Sequence, residues 1–107
     1  MISTHILDTS LGKPAGGVQV KLEKREDHAW VIVESNQTNE DGRIAFNCPS
    51  EAGVYRLLFE TEGYFKRLQK EHFFLTTPVV FEVKDVTRKY HVPLLLNPYG
   101  YSTYRGS

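Results

Sequence analysis

Apolar side chains occupy every second position through Val18, Val20 and Leu22, with Gln19, Lys21 and Glu23 between them. A period of two marks a strand with one buried face. Short runs rich in β-branched and aromatic residues follow at 30–33, 44–46, 54–59, 79–83 and 90–96, and His5 lies in a first strand near the start of the chain. Gly12-Lys13-Pro14, Gly16-Gly17, Asn39-Glu40-Asp41-Gly42, Pro49-Ser50 and Asn97-Pro98 separate these runs, supplying unusual φ values or lacking an N–H, as turns require. The spacing predicts an all-β sandwich. One stretch departs from it: Glu62 to Lys70 carries Tyr64, Phe65 and Leu68 at three- and four-residue intervals, which predicts one short surface helix. No repeat, low-complexity tract or linker divides the chain, so residues 1–107 are expected to form one domain.

Alternation also assigns faces. His5 shares a face with Leu7, opposite Ile6 and Asp8. In the run 90–96, Tyr90, Val92, Leu94 and Leu96 form the more continuously apolar side and belong in the core, which turns His91, Pro93 and Leu95 outward. An outward face carrying Leu95 and Pro93 is too apolar for ordinary surface and predicts cover by a partner subunit. A small domain also buries a limited share of its surface alone, which favours assembly.

Composition narrows the function classes. Thirteen Lys and Arg balance thirteen Asp and Glu with no long block of either sign, so neither nucleic acid nor a membrane surface is an expected partner. The single cysteine, Cys48, has no second thiol for a disulfide or a metal site, which fits a reducing compartment or a buried, inert thiol. No stretch approaches the roughly 20 apolar residues of a membrane span. Met1 to Asp8 lacks the apolar run of a signal peptide, and Arg105-Gly106-Ser107 is not the peroxisomal Ser-Lys-Leu, so a cytoplasmic protein is expected.

Candidate chemistry begins with His5 and His91, although histidines in such places are, taken alone, more often surface or interface residues than catalytic ones. Arg43 follows Asp41-Gly42 at a turn, where its guanidinium can present paired donors to a small planar anion or simply face solvent. His28 and His72 sit in polar surroundings with no ligand at metal spacing, so no metal is expected. The segment ending Tyr104-Arg105-Gly106-Ser107 gathers a phenol, a guanidinium and a hydroxyl, together with a terminal carboxylate able to orient a histidine.

In order along the chain, His5-Ile6-Leu7-Asp8 with Gly12-Lys13-Pro14-Ala15, then Asp41-Gly42-Arg43, then Tyr90 to Leu96, and finally Pro98 to Ser107 resemble the motifs of the 5-hydroxyisourate hydrolase family, enzymatic relatives of transthyretin. The terminal Tyr-Arg-Gly-Ser is specific to the hydrolases, and His5 stands where the hormone carriers have Lys. Asn97 replaces the family's usual Ser, and Leu75 follows Phe73-Phe74 where Pro is frequent. The resemblance implies a transthyretin-like two-sheet β-sandwich of about eight strands with one short helix, assembled as a homotetramer, a dimer of dimers. It further implies cofactor-free hydrolysis of 5-hydroxyisourate in urate degradation. His5, Arg43, His91 and Ser107 would be catalytic, and His5, Arg43, Tyr104, Arg105 and Gly106 would bind substrate. Two other readings stay open: a carrier of a small aromatic ligand, and a plain interaction sandwich in which these histidines are incidental.

Overall fold

A computed structural model describes residues 1–47 and 51–107, so Cys48 and the turn expected at Pro49-Ser50 lie outside the described residues. The described residues form nine strands and one helix in the order β1 (Ile2–Asp8), β2 (Lys13–Pro14), β3 (Gln19–Glu26), β4 (Ala29–Gln37), β5 (Arg43–Phe46), β6 (Gly53–Glu60), α1 (Thr61–Arg67), β7 (Thr77–Val83), β8 (Tyr90–Asn97) and β9 (Gly100–Thr103). All the expected strands are present. The strand beyond eight is β2, two residues placed in a turn by the sequence reading; Lys13 and Pro14 pair with Asp8 and Leu7. Proline is tolerated there because β2 lies at a sheet edge, where its missing N–H costs no ladder bond.

Two sheets stack. One runs β2-β1-β8-β9, with β5 also on β1, and the other runs β4-β3-β6-β7. The β1–β8 pair is parallel and sets Ser3 opposite His91 and His5 opposite Pro93, while antiparallel β5 sets Arg43 opposite His5. Alternation sends Ile2, Ile6, Ile44, Phe46, Val92, Leu94 and Leu96 inward against Val20, Leu22, Tyr55, Leu57 and Phe59 of the other sheet, all of them buried. Burying one such side chain is worth about 1.5–3 kcal/mol. This core is therefore what holds the outward face of β1 and β8 in place.

The helix is shorter than the predicted 62–70 and ends at Arg67. Gln69 adopts φ of 56°, its N–H donates to the Lys66 carbonyl, and the Lys70 N–H donates to the Phe65 carbonyl. These two bonds form a Schellman turn, which ends the helix by putting a left-handed residue just past it. Tyr64 and Phe65 face the core, and the Tyr64 hydroxyl donates to Asp8 Oδ2 at 2.7 Å.

Candidate active site

The face of β1 turned away from the core presents Ser3, His5 and Leu7, each half-buried, alternating with buried Ile2, Thr4, Ile6 and Asp8. On β8 the same face carries half-buried His91 and Leu95, as the alternation predicts, whereas Pro93 is buried. Arg43 joins them from β5, exposed beside His5. Its place depends on the preceding turn. Asn39 Oδ1 accepts from the Asp41 and Arg43 N–H groups, at 2.9 and 3.0 Å, and the Gly42 carbonyl accepts from the Ile6 N–H at 2.8 Å. Gly42 has φ of 72°, and a Cβ there would lie 2.5 Å from the Ile6 carbonyl oxygen, so only glycine lets this turn lock onto β1 and deliver Arg43.

The C-terminal segment returns over this face. The Gly106 N–H donates to the His91 carbonyl at 2.8 Å. A Cβ on Gly106 would come within 2.5 Å of His91 Cδ2 and 3.1 Å of Pro93 Cγ, so the bare backbone packs directly on the imidazole edge. On the other flank, Ser3 Oγ shares a 2.8 Å hydrogen bond with His91 Nδ1. A cavity of about 410 Å³ opens beside the ring, lined among others by Ser3, Asn39, Arg43, Lys89, His91 and Ser107.

Burial, with the nearby His5 and Arg43 charges, pushes the His91 imidazole below the ordinary histidine range; a contact with the Ser3 backbone acts weakly in the opposite direction. The shift favours the neutral ring, the form that can accept a proton. Asp8 of the N-terminal motif has a structural place instead. Burial alone would raise its carboxyl, but hydrogen bonds from Ser10 and Tyr64 outweigh that and hold it below the usual carboxylate range.

Of the residues expected in the site, Arg43, His91 and Ser107 meet around one cavity and Gly106 buttresses it. His5 stands one row along the same face, outside the cavity lining. Tyr104 and Arg105 line a smaller cavity of about 200 Å³ on the other side of His91, walled by Val79, Phe81 and Tyr90, with the Arg105 guanidinium 4.7 Å above the Tyr90 ring. Ser3, Lys89 and Asn39 were not singled out from the sequence. Ser3 lies two residues before His5, and Lys89 two before His91, so the same alternation that picked the histidines also marks these neighbours.

The other histidines lie outside this cavity's lining. His28 adopts φ of 67° in the β3–β4 turn, and His72 stacks on Phe65 at 5.5 Å. Among the described residues, no group of three or more His, Cys, Asp or Glu is placed to hold a metal ion.

The sequence matches the family model described as HIUase/Transthyretin family over residues 2–106. It is 46% identical over 110 residues to the 5-hydroxyisourate hydrolase of Salmonella typhimurium, covering 100% of this chain and 81% of the relative. It is 42% identical over 111 residues to the 5-hydroxyisourate hydrolase of Mus musculus, covering 99% of this chain and 94% of the relative. Among solved structures, the Klebsiella pneumoniae 5-hydroxyisourate hydrolase superposes with a TM-score of 0.87 at 41% identity, over 99% of this chain and 98% of that one. Sea bream transthyretin, solved in complex with thyroxine, superposes with a TM-score of 0.91 at 31% identity, over 98% and 93%. A hydrolase and a transthyretin solved with thyroxine thus share this backbone, and the full-length matches to both place the chain: it belongs to the HIUase/Transthyretin family.

Proposed function

We infer that this protein is an enzyme that hydrolyses 5-hydroxyisourate in urate degradation. The observation that carries the reading is His91 beside Arg43 in one cavity, on a chain 41–46% identical to several proteins named for that activity. Water attacks the ring carbonyl and adds across the lactam: a C–O bond forms, the C–N bond breaks, and a proton passes to the departing nitrogen. The product is 2-oxo-4-hydroxy-4-carboxy-5-ureidoimidazoline.

His91, its neutral form favoured, is the general base that takes the proton from water. His5, beside it on the same face, is the group that returns a proton to the leaving nitrogen. Arg43 holds the planar, electron-rich ring and stabilises charge growing on the attacked oxygen, and Lys89 adds a second cation to the same cavity. Neither cation has an ion-pair partner among the described residues. Ser107 lines the cavity and orients water or a histidine. Tyr104, Arg105 and Gly106 shape the site from the tail.

The working unit is a homotetramer, a dimer of dimers. Its support is physical: β7 and β9 each pair on one side only, and Phe73, Tyr99 and Tyr101 are exposed apolar surface on the same molecule. A cytoplasmic setting, which suits a sequence with one cysteine, completes the reading.

The test is to convert ¹³C-labelled urate with urate oxidase and follow the label by NMR. The ureidoimidazoline should appear ahead of the uncatalysed rate, and Arg43→Ala should raise KM and lower kcat by about a hundredfold. The carrier reading, favoured by the TM-score of 0.91 to transthyretin, predicts saturable thyroxine binding and no acceleration.

A further inference from the structure

The reaction requires one particular ring nitrogen of His91 to be free, and the nitrogen left free is decided by what the other one bonds to. Parallel pairing sets Ser3 directly across from His91, with Ser3 Oγ 2.8 Å from Nδ1. The Gly106 backbone closes on the opposite edge at Cδ2. Among the described residues no carboxylate is hydrogen-bonded to His91, so the role that a buried acid plays in Ser-His-Asp triads has no acidic occupant here. Around the ring, His5 from β1, Arg43 from β5 and Lys89 just before β8 are no acceptors when charged; Glu82 and Arg105 line the smaller cavity beside His91, and Ser107 lines the larger one.

We propose that Ser3 is a positioning residue whose hydroxyl accepts the Nδ1–H of His91, fixing the tautomer and ring orientation that leave Nε2 as the base. A serine oxygen can donate or accept. The 2.8 Å contact between Ser3 Oγ and Nδ1 fits an N–H at Nδ1 donated to the hydroxyl. Any bridging through Nδ1 alone would then leave Nε2, with no protein partner among the described residues, open to water.

This inference rests on His91 acting as the base, so its test carries one readout that needs no turnover. Ser3→Thr keeps the hydroxyl, and Ser3→Val is its isostere without one. Expected are a Thr variant within about threefold of the native kcat and a Val variant with kcat lowered roughly tenfold at unchanged KM, the scale of one hydrogen bond. The acid limb of the Val variant's pH profile should also move to lower pH, since an acceptor for the protonated ring is gone. In ¹⁵N spectra of labelled histidine, His91 should carry its proton on Nδ1 in the native protein and Thr variant, and shift toward Nε2 in the Val variant. Equal kcat in the two variants, or an unchanged tautomer in the Val variant, would overturn the assignment. A native protein without hydrolytic activity would instead remove the functional reading, and the tautomer comparison alone would then decide the role of Ser3.

Discussion

His91 is held between two neighbours of opposite kind, a hydroxyl at Nδ1 and a glycine backbone at Cδ2. Its lowered pKa sets the sign of the pH response. The base form survives below pH 6.5, and activity is lost only as pH falls through the lowered folded value. The stability linked to this ring follows the same direction: it is complete above 6.5 and lost as pH falls through that folded value. His91→Ala and His5→Ala should each lower kcat by about a hundred- to ten-thousandfold without unfolding the protein, as stopped-flow assays and thermal melts would report. Loss of only a few-fold in both would contradict the acid–base assignment. Gly106→Ala should impair turnover as well, because its Cβ has no room beside the imidazole. At this scale His5, Arg43 and His91 were legible as candidates because strand alternation and turn chemistry expose them. Ser3 and Lys89 share the histidines' faces by the same alternation, but a small hydroxyl and a common cation do not stand out by residue type until the register brings them beside His91.

Strands of period two were plain in the sequence where one face is buried against the core, as in β1, β3, β6 and β8. Element ends were less so. The helix was expected to run to Lys70, since Leu68 continues the apolar spacing, yet left-handed Gln69 stops it at Arg67, a feature that residue type alone does not announce. Gln69→Gly should relieve that strain and raise stability by about 0.5–1 kcal/mol in chemical denaturation. Strand β2 was hidden because Lys13-Pro14 reads as a turn until β1 offers it an edge. The link between α1 and β1 is the Tyr64–Asp8 hydrogen bond, between two residues buried in the fold. Tyr64→Phe should therefore cost about 1–3 kcal/mol, read as a lower melting temperature. Because the folded Asp8 pKa lies below 3.8, its share of stability is present above that value and lost as pH falls through the folded one.

The backbone of the whole molecule matches a hydrolase and a thyroxine-bound transthyretin almost equally well, so architecture alone does not select the activity. The sandwich followed from patterning and its transthyretin-like two-sheet form from the motif resemblance, but the choice of chemistry rests on a few outward side chains and on the motifs that carry them. Assembly is a property of this scale too. Sedimentation should give a mass near four times the 12.3 kDa chain, and a stable monomer would remove the proposed tetramer. The most direct test of the account is the ultraviolet decay of 5-hydroxyisourate, generated in place from urate and urate oxidase, with the native protein and with His91→Ala. Decay accelerated by the native protein and returned close to the spontaneous rate by the substitution is the predicted result; spontaneous-rate decay with folded native protein would contradict it.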